Sequence, residues 1–302
     1  MDPTPAHTRA AEDVAGLTDW LRTLPQHLLP THALSRVVHR ATRSTVGWWK
    51  DLLIDLFDGL FDIDLCEAAE RNKRAYPSFN AFFTRALQPG ARPLEGDGTT
   101  LVNPVDGAVC YCGPLDGAPL RAKGHRFGLP ELLGGSAERA APFVGGTVAN
   151  LYLHPRDYHR VHMPLAGRLV EMVHVPGRLF AVNPPAMRTV TGLFARNERV
   201  VLHFETTVGP VAIVLVGALF VGSIETTWGG EITPPHRREV TVTRYPGDSG
   251  PTLQRGDELG RFNMGSTVIL LLPPGAATLR DGLDADQELS MGRRLGTLHP
   301  PA

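Results

Sequence analysis

The sequence has few cysteines and almost no excess of charge. Its 302 residues include only Cys66, Cys110 and Cys112, and the formal net charge is -1. An odd and sparse cysteine count argues against a disulfide framework and is typical of a reducing compartment. The Cys110-Tyr111-Cys112 pair lacks a second pair, so we expect no metal site. Without a global basic field, we also expect no nucleic-acid partner.

Signals for export and for crossing a membrane are also missing. Residues 1–12 are polar and lack the apolar run of a signal peptide. No stretch reaches the ~18 to 20 apolar residues that a bilayer-spanning helix needs. The longest apolar run, Val211 to Gly222, is interrupted by Gly217 and predicts a buried strand.

The N-terminal part has helical periodicity over residues 13–72. Pro25 and Pro30 are predicted to limit the first helices, and Thr31 to Lys50 carries basic residues and no acidic one. A later stripe of apolar residues repeats at i, i+4 spacing: Trp48, Trp49, Leu52, Leu53, Leu56, Phe57, Leu60 and Phe61. Phe79 to Arg85 predicts a short aromatic helix that docks this region on the body.

Two interpretations of the apolar stripe stay open. A basic segment beside a Trp- and Phe-rich helix is typical of a segment that lies on an anionic membrane surface. Alternatively, the stripe packs on the protein's own body or on a second subunit. Four acidic residues in and just after the second helix weaken the electrostatic argument for a membrane: Asp51, Asp55, Asp58 and Asp62.

From Leu101 onward, short β-branched runs alternate with Gly and Pro, which predicts a sandwich or barrel-like sheet. We therefore expect an α+β protein with amphipathic N-terminal helices (1–90) and a mainly antiparallel β-rich body (91–302). The predicted strands are 101–102, 108–111, 147–153, 168–175, 200–207, 211–215, 240–242 and 267–272. No βαβ alternation or glycine-rich phosphate loop appears, which argues against a nucleotide-binding fold.

Three polar features interrupt this pattern. Pro104 to Gly107 contains an Asp-Gly turn pair. His154 to Pro164 holds three histidines, which favour acid/base work because histidine titrates near neutral pH. Gly265-Ser266-Thr267 follows near the C-terminus. A further motif, Gly247 to Pro251, resembles the nucleophile loop of trypsin-like proteases, but it lacks the second glycine and we interpret it as a surface turn.

The Gly265-Ser266 step has the composition that self-cleavage needs. Glycine has no Cβ, so its carbonyl stays open to attack. The serine oxygen can attack that carbonyl and turn the amide into an ester. β-Elimination then releases the upstream chain, and hydrolysis leaves a pyruvoyl group at the new N-terminus.

These features together resemble bacterial-type phosphatidylserine decarboxylases, which are pyruvoyl enzymes. The Asp-Tyr-His-Arg-Val-His-Met-Pro run of residues 157–164, paired with the late Gly-Ser-Thr, is the most specific part. The family usually has leucine before Gly-Ser-Thr, where this chain has Met264, a residue of similar volume. The other matching segments are 79–85, 104–107, 122–124, 179–184, 193–199 and 221–225.

The resemblance implies roles for four residues. Ser266 would be the self-cleavage nucleophile and the pyruvoyl precursor, cut from Gly265. His162 would act as general base on the serine hydroxyl, with Asp106 orienting its imidazole. His159 would serve decarboxylation, as proton donor. No metal site is implied.

The resemblance also implies the cofactor, partners and location. A covalent pyruvoyl group made from Ser266 would form a Schiff base with the amine of phosphatidylserine and take up electrons as CO2 leaves. The mature protein would be a heterodimer of its own chains, 1–265 and 266–302, and a homodimer is compatible with the pattern. It would sit as a peripheral protein on the cytoplasmic face of the cell membrane.

Two other functions fit parts of the sequence. A pyruvoyl-dependent decarboxylase of a soluble amino acid would cut itself in the same way, but it would not need the Trp- and Phe-rich helices. A catalytically silent membrane-surface scaffold on the same fold would remain a single 32.8 kDa chain.

Overall fold

The computed structural model describes residues 16–115, 120–122, 125–219, 223–235 and 237–300. Residues 1–12, for which the sequence predicts no signal peptide, lie outside this range, as do positions 123–124 and 221–222 of the matching segments. The helices are α1 (Leu17–Leu28), α2 (Thr31–Thr42), α3 (Gly47–Phe61), α4 (Phe79–Phe83), α5 (Leu129–Leu132), α6 (Ala137–Ala140), α7 (Pro184–Thr189) and α8 (Leu193–Arg196).

The described strands number eighteen: all eight predicted ones, with ends shifted by up to three residues, and ten that were not predicted. They are β1 (Thr100–Val102), β2 (Gly107–Pro114), β3 (Leu120–Ala122), β4 (His125–Phe127), β5 (Thr147–Leu153), β6 (Arg160–His162), β7 (Gly167–Val175), β8 (Arg199–Thr206), β9 (Gly209–Val216), β10 (Ile224–Thr226), β11 (Gly230–Thr233), β12 (Thr241–Arg244), β13 (Thr252–Leu253), β14 (Glu258–Phe262), β15 (Ser266–Leu272), β16 (Ala277–Leu279), β17 (Glu288–Leu289) and β18 (Arg294–Leu298).

A nine-stranded antiparallel sheet forms the centre of the body. Its order is β12-β7-β8-β9-β15-β5-β2-β17, with β13 also pairing with β7. A four-stranded sheet, β11-β10-β14-β6, and a three-stranded sheet, β1-β18-β16, complete the body beside the β3-β4 hairpin. The fold is therefore α+β and mainly antiparallel, as predicted, and its large sheet stays open rather than closing into a barrel.

Side-chain alternation along the central strands builds two cores. Val268 and Leu270 of β15 point into a cluster that includes Val161 and Phe262 of the four-stranded sheet. Ile269, between them in the sequence, points into a second cluster with residues from the short helices. Every residue of β15 is buried because apolar layers cover both faces of the sheet.

The helical region is shorter than predicted. α3 ends at Phe61 because Asp62 turns the chain with left-handed dihedrals, φ 52 and ψ 71. The predicted helix over the rest of 62–72 is therefore wrong, since this segment forms turns and a single bridge. Pro25 does not end α1, which continues to Leu28. Arg178 donates to the carbonyl of His27 across 3.0 Å, and this contact holds the last turn in place.

α1 docks through its polar side. Arg188 donates two hydrogen bonds to Asp19 at 2.8 and 2.9 Å, and the backbone N–H of Ala181 donates to Gln26 at 2.9 Å. Its large apolar side chains point away from the body, and they are Leu17, Trp20, Leu21 and Leu24, 46–76% exposed. The usual arrangement, with the apolar side inward, is thus reversed in this helix.

α3 divides its apolar stripe between two environments. Ile54 is fully buried, and Leu53 and Phe57 pack beside it on the aromatic residues of α4. Trp48, Leu52, Leu56 and Leu60 are 52–70% exposed on the other side. The packing interpretation thus holds for one side of the stripe, and the membrane interpretation stays a prediction for the uncovered side.

The acidic residues of α3 face the turns that follow it. Lys73 lies 3.0 Å from Asp55 and 2.9 Å from Asp58, and Arg74 lies 2.6 Å from Asp55. These ion pairs place three of the four carboxylates among cations of the same chain, because Lys50 also contacts Asp51 at 2.6 Å. The carboxylates of α3 are therefore paired with cations of the same chain.

Candidate active site

Ser266 lies at the wall of an apolar cavity of about 310 Å³. It is the first residue of β15 and is fully buried, and its hydroxyl oxygen has no hydrogen-bond partner. The cavity walls come from α3, α4, β5 and the segments around 181–183 and 218–219, and they include Phe57, Phe61, Phe83, Tyr152, Leu219 and Met264. A buried hydroxyl without a partner is costly, and such a group is a candidate for chemistry.

His159 is the second buried group without a full set of partners. Its ring lies 4.1 Å, between centroids, from Phe83, which also lines the cavity at Ser266. Nδ1 lies 2.9 Å from the carbonyl of Asp157, and a carbonyl only accepts, so Nδ1 carries the proton. Nε2 is therefore an unprotonated nitrogen, and it is buried without a partner.

Burial controls the charge of His159. Desolvation lowers the pKa of His159 to about 3, and the carbonyl of Asp157 opposes this shift only in part. The positive charge of Arg85 lowers the pKa of His159 further. The imidazole is therefore neutral at physiological pH and presents a free lone pair inside the protein.

His162 has both ring nitrogens occupied. Nδ1 donates to the carbonyl of Gly256 across 2.8 Å, and Nε2 accepts the hydroxyl proton of Tyr158 across 2.9 Å. Burial lowers the pKa of His162 and raises the pKa of Tyr158 to about 12. Both groups are therefore neutral, and the basic nitrogen of His162 is engaged.

Asp106 is held by a bidentate ion pair. Arg92 donates from Nε to Oδ1 at 2.9 Å and from Nη2 to Oδ2 at 2.6 Å, and the backbone N–H of Met291 adds a third bond at 2.7 Å. The backbone N–H of His162 donates to the carbonyl of Pro104, so the histidine lies beside the turn that carries Asp106.

The structure thus places the four predicted residues in two neighbouring groups. Ser266 lines the apolar cavity, and His159 packs against Phe83, which lines the same cavity. Asp106 and His162 belong to a polar cluster with Tyr158. Asp106, His162 and Ser266 make no hydrogen bonds with one another, although all three are among the described residues.

Three partners in this region were not predicted from the sequence. Tyr158 lay inside the histidine motif, four residues before His162, and could have been considered as its partner. Arg92 lies in a loop without periodicity and gave no signal. Asn263 stood three residues before Ser266, and its burial and contacts depend on the folded chain.

Asn263 connects the segment before Ser266 to α4 and α2. Its amide donates to the hydroxyl of Ser223 across 2.7 Å and accepts from Asn80 at 3.1 Å. Ser223 in turn bonds Glu231, whose carboxylate also pairs with Arg43 of α2. This network fixes the backbone just upstream of the Gly265-Ser266 peptide.

Comparison with known proteins identifies the family of this chain. The family model described as phosphatidylserine decarboxylase matches residues 79–297, and a second model, described as PSD, matches residues 21–62. Phosphatidylserine decarboxylase proenzymes of Nitrosococcus oceani and Pseudomonas aeruginosa are 52% and 51% identical to this chain. These matches cover 93% and 92% of this chain and 92% and 96% of the relatives. The chain therefore belongs to the phosphatidylserine decarboxylase family.

Proposed function

We propose that this chain is a proenzyme that cuts itself between Gly265 and Ser266 and then converts phosphatidylserine to phosphatidylethanolamine and CO2. One observation carries the proposal. The hydroxyl of Ser266 has no hydrogen-bond partner and lies at an apolar cavity, and Phe83 of the same cavity packs against the ring of His159, whose Nε2 also has no partner. Family membership supplies the substrate, and the site supplies residues for the chemistry.

Self-cleavage begins when Oγ of Ser266 attacks the carbonyl carbon of Gly265. The Gly265–Ser266 C–N bond breaks as an ester forms, and β-elimination then releases the carboxylate of Gly265. Hydrolysis of the remaining dehydroalanine releases ammonia and leaves a ketone at the new N-terminus. The hydroxyl of Ser266 must lose its proton in the first step, so a nearby base is required.

We propose His162 as this base, with Asp106 setting the local charge. His162 can accept the proton only after Tyr158 releases Nε2, because that nitrogen has a single lone pair. Asp106 lies in the same polar cluster and is fixed by Arg92. Rotation of Tyr158 is therefore part of the proposed cleavage step.

The pyruvoyl group, once made from Ser266, supplies the carbonyl that accepts the electrons of the departing carboxylate. His159 acts as the proton donor beside this group. Burial makes protonated His159 a strong acid, so a proton that Nε2 takes up passes readily to the substrate carbon. The apolar walls keep water away, which favours loss of charge from the substrate carboxylate.

The N-terminal helices support action at a membrane surface. α1 bonds to the body through Asp19 and Gln26 and exposes four large apolar residues, and α3 exposes four more. An apolar surface of this kind marks an interaction site with lipid or protein. Within the described chain, no helix has the length and apolar character needed to cross a bilayer. We therefore propose peripheral binding, on the cytoplasmic face of the cell membrane.

Mass spectrometry of the purified protein tests the proposal. The wild type should give two chains, with a pyruvoyl group in place of Ser266 at the start of the smaller one. Ser266→Ala should stay whole and release no CO2 from phosphatidylserine. An uncut wild-type chain, or an unmodified serine at the new N-terminus of an active enzyme, would contradict the mechanism.

A substrate comparison separates the lipid from a soluble amino acid. The same wild-type preparation should release CO2 from phosphatidylserine in detergent micelles and not from free serine. The exposed apolar helices favour the lipid, because a soluble substrate gives no reason to leave them uncovered.

A further inference from the structure

A groove of about 780 Å³ lies between α2 and the turn that follows β11. Two arginines line it from each side: Arg36 and Arg40 from α2, and Arg237 and Arg238 from the turn. No Asp or Glu is among the described residues that line the groove. We call this feature the arginine groove, and it has no lining residue in common with the cavity at Ser266.

The charges of the arginine groove are not used inside the protein. Among the described residues, no carboxylate lies within ion-pair distance of any of its four arginines. The neighbouring carboxylate of Glu231 is already shared by His39, Arg43 and Ser223. Four cations around one groove repel one another, and an anion placed between them relieves that repulsion.

Arginine favours one kind of anion. Its planar guanidinium matches the oxygens of a phosphate and can donate two hydrogen bonds at once. Side chains on two walls of a groove can approach one phosphate from opposite sides. The arginine groove is therefore suited to a phosphate group rather than to an extended acidic surface.

Exposed apolar residues close in sequence to the groove's arginines indicate where that phosphate comes from. Val37, next to Arg36, is 62% exposed, and Val240, two residues after Arg238, is 44% exposed. α1, immediately before α2, exposes its own apolar side chains. A charged groove whose flanking segments also carry exposed apolar side chains fits a lipid whose head group enters the protein while its acyl chains stay in the bilayer.

We infer that the arginine groove binds the head-group phosphate of an anionic membrane phospholipid, at a site separate from the catalytic cavity. This inference rests on the membrane association proposed above and gives it a defined contact. It orients α1 and α3 on the bilayer by fixing one point of the helical region to a lipid phosphate.

Vesicle binding of the full-length protein tests the inference. The probes are phosphatidylcholine vesicles with and without phosphatidylglycerol, since neither lipid is the substrate. Arg36→Gln/Arg40→Gln should bind the phosphatidylglycerol vesicles roughly thirtyfold more weakly than the wild type. This factor is the summed effect of two arginines near an anionic surface. The control is Arg71→Gln/Arg293→Gln, which makes the same charge change outside the groove, loses only the exposed ion pair of Arg293 with Glu95 and should bind like the wild type.

Three results would overturn the inference. Equal weakening in the groove and control variants would show that only net charge matters. Release of the protein from vesicles by millimolar inorganic phosphate would identify a site for a free anion. A wild type with no preference for phosphatidylglycerol would rule out the groove as a site for anionic phospholipid. Decarboxylation in micelles would still test the proposed reaction separately.

A second variant guards against misfolding. Arg237→Gln/Arg238→Gln changes the opposite wall and should weaken binding to phosphatidylglycerol vesicles by a similar factor. Thermal unfolding of both groove variants should match the wild type, because none of the four arginines holds an ion pair with another residue in the described part of the chain. Full binding by a folded variant of either wall would contradict the proposed site.

Discussion

Asn263 donates its side-chain amide to Ser223 across 2.7 Å, three residues before the hydroxyl of Ser266. Both residues are buried, and Ser223 continues the contact to Glu231 and Arg43. Hydrogen bonds of this kind fix the backbone that leads into the Gly265-Ser266 peptide. A reaction between two neighbouring groups depends strongly on how they are held.

Asn263→Ala should therefore slow self-cleavage by about ten- to a hundredfold, since it leaves buried polar groups unpaired and loosens the segment. The ratio of cut to uncut chain on denaturing gels, followed over time, measures the rate. Thr189→Val is the control, because it removes a buried hydrogen bond to Thr23 away from the site. Equal rates in both variants would show that Asn263 only contributes to stability.

Tyr158→Phe should speed self-cleavage by up to about tenfold if His162 is the base. The substitution frees Nε2 of His162 from a hydrogen bond worth about 0.5–1.5 kcal/mol. Quenched time points of freshly synthesised chain, separated by mass, give the rate. His162→Gln in the same background should abolish the gain, and an unchanged rate in Tyr158→Phe would remove His162 from the role of base.

Acid should destabilise the uncut protein through His159. Its pKa is lowered to about 3 in the folded chain, whereas an unfolded histidine titrates near 6.5. Between these values only the unfolded chain binds the proton, so stability is complete above about pH 6.5 and falls as the pH drops. Lowering the pH from 7 to 5.5 should cost roughly 1 kcal/mol at this position.

Urea unfolding of the Ser266→Ala chain at the two pH values measures this effect. His159→Gln in that chain should lose about 1 kcal/mol less on acidification than the parent. His203 is half-buried and desolvation lowers its pKa to about 4, so part of the acid sensitivity should remain. An identical pH dependence with and without His159 would contradict its burial as a neutral base.

Mutations on the exposed and the buried side of α3 should have different effects. Trp48→Gln/Leu52→Gln changes exposed side chains and should leave the melting temperature unchanged while weakening vesicle binding at least about tenfold. Ile54→Ala should cost about 2–5 kcal/mol of stability, because it opens a cavity against α4. A loss of stability in the first variant would show that its side chains are covered in solution.

Eight strands could be predicted from the sequence because their signal is local, and the ten described strands that were not predicted are only two to five residues long. The run 267–272 became β15 with one more residue, and Phe79 to Arg85 gave the docking helix α4. The end of the helical region could not be predicted, since it depends on the left-handed turn at Asp62 and on ion pairs from Lys73 and Arg74 back to α3.

Contacts between distant segments could not be predicted from the sequence, because they too depend on the folded chain. Periodicity identifies the apolar side of α1 but not which side meets the body, and that choice rests on Arg188 reaching Asp19. Likewise, the histidine motif predicts acid/base residues, whereas the partner that each ring nitrogen takes depends on Tyr158 and on the carbonyl of Asp157.

The position of β15 bears on what happens after the chain is cut. The strand is hydrogen-bonded to β5 on one side and β9 on the other, and β17 and β18 downstream are paired with β2 and β1. The new N-terminus would thus lie in a central strand of the sheet. The smaller piece could dissociate only if the hydrogen bonds of β15 to β5 and β9 were broken. We expect the two pieces to behave as one cooperative body that denaturant separates and dilution does not.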